Sequence, residues 1–120
     1  MNRKPIIISV AGKKLTKAEK FLIKNEKPWG VILFKRNIDS FDQVKNLTRE
    51  IRKCLKDPFY PILIDEEGGE VSRLSSLINT GEFSQKFFGN LFEKNNKNGK
   101  LIYAYYLNST CAVLKKLGIN

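Results

Sequence analysis

Three short and nearly unbroken apolar runs, separated by two segments with helical signatures, constrain this sequence more than any other feature. The runs are Ile6-Ile7-Ile8-Ser9-Val10, Trp29-Gly30-Val31-Ile32-Leu33-Phe34 and Pro61-Ile62-Leu63-Ile64. Runs of this length and continuity are expected to be strands buried on both faces, as in a parallel sheet, rather than strands with one face in water. Between the first two, Thr16-x-x-Glu19 forms a capping box, and Ala18, Phe21 and Leu22 follow at helical spacing up to the break at Asn25 to Pro28. Between the second and third, Ser40-x-x-Gln43 repeats the capping logic. Phe41, Val44, Leu47, Ile51 and Leu55 then recur at three- and four-residue steps until Pro58.

The periodicity weakens from Glu70 to Lys100. Phe83, Phe87, Phe88, Leu91 and Phe92 predict a helical turn or two, and Glu93 to Lys100 has the composition of a polar loop. Tyr103, Leu107, Thr110 or Cys111, Leu114 and Leu117 mark a third helix, with Lys115 and Lys116 in its last turn and Gly118 at its C-cap side. The spacing of Tyr103, Tyr105 and Tyr106 assigns them to packing of that helix rather than to a stacking platform. Ile119-Asn120 has the look of a further strand beginning. The order of elements is α/β with a parallel sheet, open to two architectures. One is a small doubly wound sheet, favoured by length; the other is the first three βα units of a (β/α)8 TIM barrel truncated before strand four, favoured by the ending.

Composition narrows the chemistry. The 120 residues suit one globular domain or part of one, and 42% hydrophobic content is too high for a disordered chain. There is no histidine, which excludes within these residues a Ser-His-Asp triad, a Cys-His pair and any zinc site that needs imidazole. Cys54 and Cys111 form no Cys-x-x-Cys pair and are expected to be small core hydrophobes in a reducing cytoplasm. The run ending at Ala11 is too short for a signal-peptide core or a membrane span, so no membrane association is expected. The net charge of +10 comes from 22 Lys and Arg, 17 of them Lys, with no stretch that interleaves Arg and aromatics as a nucleic-acid groove does. Solvation by Lys explains the charge better than a nucleic-acid partner.

Ligands of parallel α/β folds bind at the C-terminal ends of the strands, where three loops meet here. Ala11-Gly12 carries little chemistry. Lys35-Arg36-Asn37 can donate into a site or anchor a loop to neighbouring carbonyls, and anchoring is favoured. The third loop, Asp65-Glu66-Glu67-Gly68-Gly69-Glu70-Val71-Ser72-Arg73, is dense in functional types. Asp65 at the sheet rim can accept hydrogen bonds from a polyol or hold a cation, or it can be an ordinary strand-end Asp. Glu66 and Glu67 can be solvated or capping, and Gly68-Gly69 can be a turn. Arg73 offers a planar fork of donors, or a surface ion pair.

Together, the segment from Trp29 to Asn37, the Phe41 to Ile51 helix and the stretch Ile64-Asp65-Glu66-Glu67-Gly68-Gly69-Glu70-Val71-Ser72-Arg73-Leu74 resemble glycoside hydrolase family 3. The resemblance is to its branch of cytoplasmic bacterial β-N-acetylhexosaminidases of peptidoglycan recycling, and it runs along essentially the whole chain. The family pattern usually has Gln where Glu66 stands and Arg where Glu70 stands. The resemblance implies that residues 1–120 are the N-terminal part of a (β/α)8 catalytic barrel, an incomplete domain. It implies a retaining glycosidase that removes terminal N-acetylglucosamine from cell-wall fragments, with no cofactor and no metal. By that resemblance Asp65 binds sugar hydroxyls and Arg73 shares the same subsite, while no catalytic residue lies in this chain: the nucleophilic Asp and the acid/base His follow later strands. The isolated chain is expected to be inactive and to self-associate through unpaired strand edges. The alternative is a non-catalytic α/β sugar-binding module or an inactive remnant.

Overall fold

The computed structural model describes residues 2–120; Met1 lies outside the described residues. Three strands, β1 (Lys4–Ser9), β2 (Pro28–Leu33) and β3 (Ile62–Ile64), form one parallel sheet in the order β1-β2-β3. Helix α1 (Lys17–Glu26) connects the first pair. A 3₁₀ turn (Lys35–Asn37) and helix α2 (Phe41–Leu55) connect the second, and helices α3 (Gln85–Lys94) and α4 (Asn96–Leu117) follow β3.

The register fixes which face carries the core. Ile8 lies opposite Val31, and Val31 opposite Ile62, so these three share one face of the sheet. There they join Val10, Leu33, Ile23 of α1, Val44, Leu47, Ile51 and Leu55 of α2, and Leu117 of α4 in a single cluster. The other face carries Ile7, Ile32 and Leu63, none of which is buried. The expectation of strands buried on both faces therefore fails for β1, where Ile6 and Ile7 are 52% and 45% exposed. The reason is geometric: the helices pack against one face only, and β1 is an edge strand. Cys111 is exposed rather than in the core, whereas Cys54 packs against the cluster.

Helix starts follow the sequence signals closely. The Thr16 side chain accepts from the N–H of Glu19, and Glu19 returns the bond to the N–H of Thr16 at 2.7 Å. The Ser40 hydroxyl caps Gln43, but the Gln43 side chain reaches back one residue further, to the N–H of Asp39. The buried face of α1 differs from the expected one, since Ile23 is buried while Phe21 is 72% exposed. The polar stretch from Glu93 to Lys100 is helical apart from Asn95, whose side chain caps α4 by accepting from the N–H of Asn98 at 3.0 Å. Gly99 lies against the backbone of Phe92, where a Cβ would come within 3.0 Å, so a residue type that looks loop-like serves a close helix–helix crossing.

Helix α3 packs chiefly on α4, and α4 joins the core through Val113, Leu114 and Leu117 near its C-terminus. The radius of gyration is 16.5 Å, against roughly 14 Å for a compact chain of this length. The rings of Phe83, Phe87, Phe88, Phe92, Tyr103 and Tyr106 hold the two helices together, with Phe88 at 4.7 Å from Tyr103 and 5.0 Å from Tyr106. Tyr103 and Tyr106 thus pack as expected, and Tyr105 does not, being 69% exposed.

Candidate functional site

Because all three strands are parallel, their C-terminal ends and following loops meet along one rim. The second loop is a scaffold. Asn37 is fully buried, donates from Nδ2 to the carbonyls of Val10 at 3.0 Å and Gly12 at 2.9 Å, and accepts on Oδ1 from the N–H of Phe34. Arg36 donates to the Val10 carbonyl and to Ser9 Oγ. The anchoring role expected of this loop is the one observed, and it ties the end of β2 to the end of β1.

The third loop leaves β3 at Asp65 and folds back on itself. Gly68 and Gly69 have φ of +76° and +66°, and an antiparallel bridge joins Gly68 to Val71. Gly68 is required on two counts: its left-handed backbone, and a Cβ there would sit 2.6 Å from both the Phe83 carbonyl and Tyr106 Oη. The loop is further held by the N–H of Gly69 donating to the Thr80 carbonyl and by the buried Thr80 to Ser72 hydroxyl bond at 2.8 Å. Glu66 is neither solvated nor at a helix start. Its Oε2 accepts from the backbone N–H of Arg73 at 2.7 Å and of Leu74 at 2.9 Å. Glu67 and Glu70 point into solvent-exposed positions.

This folding brings the two residues singled out from the sequence together. Arg73 Nη2 stands 3.9 Å from Asp65 Oδ2, an ion pair beyond hydrogen-bond length, so both groups keep donor and acceptor capacity for a ligand. Asp65 is half exposed and Arg73 largely buried, with its Nε buried and unpartnered. Phe34, which the sequence presents only as the last apolar residue of a strand, belongs to the same rim. The Arg36 and Arg73 guanidinium carbons lie 4.8 and 6.0 Å from its ring centroid. Tyr106, assigned by its spacing to helix packing, also reaches this loop, its Oη lying against Gly68. Burial, with the Glu66 carboxylate adding to it, raises its hydroxyl above the ordinary tyrosine value, and a hydrogen bond with Thr110 opposes the shift. An acceptor, a cationic planar donor and an aromatic ring on one rim are groups that recognise a polyhydroxylated ring. No group of three or more His, Cys, Asp or Glu side chains that could hold a metal ion occurs among the described residues.

No family model matches the chain. Curated relatives do. The beta-hexosaminidase of Chromobacterium violaceum is 42% identical over 71 residues, 59% of this chain and 20% of that protein. The beta-hexosaminidase of Thioalkalivibrio sulfidiphilus is 32% identical over 100 residues, 83% of this chain and 28% of that protein. The chain thus spans between a fifth and somewhat over a quarter of the length of these relatives. Among solved structures, NagZ from Neisseria gonorrhoeae in complex with zinc ion matches 98% of this chain and 35% of its own, with TM-score 0.83 and 26% identity. The same enzyme in complex with N-trifluoroacetyl-D-glucosamine matches 59% of this chain and 21% of its own, with TM-score 0.54 and 36% identity. A glycoside hydrolase family 3 beta-N-acetylglucosaminidase from a Paenibacillus species matches 62% of this chain and 15% of its own, with TM-score 0.56 and 27% identity. By sequence and by structure, the chain is homologous to the beta-hexosaminidases and to NagZ of glycoside hydrolase family 3, over part of their length.

Proposed function

We propose that these residues are the first three βα units of a (β/α)8 barrel that hydrolyses terminal non-reducing β-N-acetylglucosamine from peptidoglycan fragments in the cytoplasm. In this reading Asp65 and Arg73 bind the sugar. The observation that carries it is the convergence of those two side chains at the C-terminal rim of a parallel sheet, the place where barrels bind substrate. The barrel, rather than a doubly wound sheet, is supported by strand order. After α4 the chain returns to the outer edge of β3, where the N–H of Asn120 donates to the Ile62 carbonyl and Asn120 Oδ1 accepts from the N–H of Ile62. A fourth position beside β3 continues the order β1-β2-β3 without the reversal that a doubly wound sheet makes. The open apolar face of the sheet, with Ile7, Ile32 and Leu63, is what a barrel turns toward its packed interior.

Within this reading Asp65 accepts hydrogen bonds from sugar hydroxyls, Arg73 donates to the same ring, and Arg36 and Asn37 hold the neighbouring loop. A retaining glycosidase needs a carboxylate nucleophile and an acid/base about 5–5.5 Å apart across the scissile bond. Glu66 Oε2 accepts from two backbone N–H groups while Oε1 is buried without a partner, and neighbours on one loop do not flank a glycosidic bond, so neither Glu66 nor Glu67 or Glu70 takes a chemical role in this reading. The nucleophile and acid/base belong to later units of the barrel. Calorimetric titration with N-acetylglucosamine tests the site: saturable binding to the chain, lost in Asp65→Ala with the fold intact, is expected. No heat at millimolar sugar from folded protein would remove the proposal. Release of chromophore from a nitrophenyl N-acetylglucosaminide by the purified chain would contradict the assignment of the chemical step to later units.

A further inference from the structure

The geometry points to Glu66 as the positioning residue of this subsite, and the inference rests on reading Asp65 and Arg73 as sugar-binding groups. Arg73 is separated from Asp65 by seven residues of irregular loop, yet the two side chains meet at the rim. The Gly68–Val71 bridge and the Thr80 bonds to Gly69 and Ser72 shape the middle of the loop, and at its end one carboxylate oxygen, Glu66 Oε2, takes the N–H groups of both Arg73 and Leu74. Leu74 is fully buried in the core, so the Glu66 bonds fasten the start of the loop to a fixed point and orient the residue just before it. Arg73 then has its guanidinium held between Asp65 and the ring of Phe34 rather than free to sweep solvent. A carboxylate accepting two backbone N–H bonds is among the stronger hydrogen-bond arrangements, and opening it would leave two donors in the loop unpaired.

Reach, not charge, is the property this role needs. A glutamine amide oxygen can accept the same two bonds. An aspartate keeps the charge but withdraws it by about 1.5 Å, one carbon–carbon bond. Alanine removes both. Two readouts on the full chain decide the matter, amide hydrogen exchange at Arg73 and Leu74, and the Kd for N-acetylglucosamine from an NMR titration. In Glu66→Gln both amides should stay protected and the Kd should remain within about threefold of wild type. In Glu66→Asp and Glu66→Ala both amides should exchange at least about tenfold faster, with binding weakened about tenfold or more. Protected amides in Glu66→Ala would overturn the proposal, as would a Glu66→Asp variant that binds like wild type while Glu66→Gln does not. Should Glu66→Ala fail to fold, the comparison of Glu66→Asp with Glu66→Gln still decides. If wild type binds no sugar, the subsite reading fails, whereas the exchange data continue to report whether Glu66 closes the loop.

Discussion

Asn37 is the residue on which the rim depends most heavily. Its amide satisfies two carbonyls from the end of β1 and one N–H from the end of β2 in a fully buried position. Asn37→Ala removes the partner of the Gly12 carbonyl and the Phe34 N–H and leaves the Val10 carbonyl with Arg36 alone, and chemical denaturation should show a loss of about 2 kcal/mol. A loss within error of zero would mean that water replaces the amide. Arg73 is expected to be equally particular at the site, because a lysine cannot reproduce its planar fork over Phe34 beside Asp65. Arg73→Lys should weaken N-acetylglucosamine binding several-fold at unchanged Tm, and equal affinity would show that only the charge matters. The anchoring role of Asn37 was legible from its place after β2, whereas residue type and position left Asp65 and Arg73 open between a ligand site and an ordinary ion pair, and their proposed sugar-binding roles come from the family resemblance. Phe34 at the rim and the clamp made by Glu66 were not legible, because each acquires its place from a partner brought near by the fold rather than from its sequence neighbours.

At the scale of elements, α1 shows how far a local signal carries. The capping box of Thr16 and Glu19 forms as the spacing predicts, and Thr16→Ala should cost about 1 kcal/mol. Burial alone would raise the Glu19 carboxyl, but N–H bonds from Ala11 and Thr16 and the Thr16 hydroxyl outweigh it and leave it below its ordinary 4.5. Glu50 of α2 is lowered too, first by its hydrogen bond with Lys20 of α1. Both folded values lie below the unfolded ones, so the stabilisation is complete above pH 4.5 and is lost as pH falls through the folded values. A Tm profile should decline on acidification below that point, and Glu19→Gln should flatten part of the decline; parallel profiles would contradict the assignment. Helix α2 was legible from Val44 onward because its apolar stripe, Val44, Leu47, Ile51 and Leu55, is the face it buries, whereas Phe41 in its first turn, expected in the same stripe, is exposed. The junction of α3 and α4 was not. A one-residue break at Asn95, a glycine used for close packing and a run of Asn and Lys carry no helical period, and it is the packed, mutually tilted rings of Phe88, Tyr103 and Tyr106 that fold this segment.

The whole molecule is a sheet covered on one face. The three strand runs carry enough apolar residues for two buried faces, and Ile6, Ile7 and Trp29 are instead exposed at 52%, 45% and 46%. An apolar cavity of about 300 Å³ also opens beside β3, lined by Leu63, Ile64, Cys111, Leu114 and Ile119. A surface of this kind with an unpaired edge at β1 drives association. Sedimentation of the isolated chain should therefore show concentration-dependent oligomers, and a monodisperse monomer with a sharp, reversible unfolding transition would contradict the reading of an incomplete barrel. On the proposed reading the rim holding Asp65 and Arg73 is a sugar subsite, and chemical-shift mapping of N-acetylglucosamine on the ¹⁵N-labelled chain is its sharpest test. Saturable perturbations confined to residues 34–37 and 65–74 are predicted; none at millimolar sugar, or perturbations centred on residues 111–120, would contradict it.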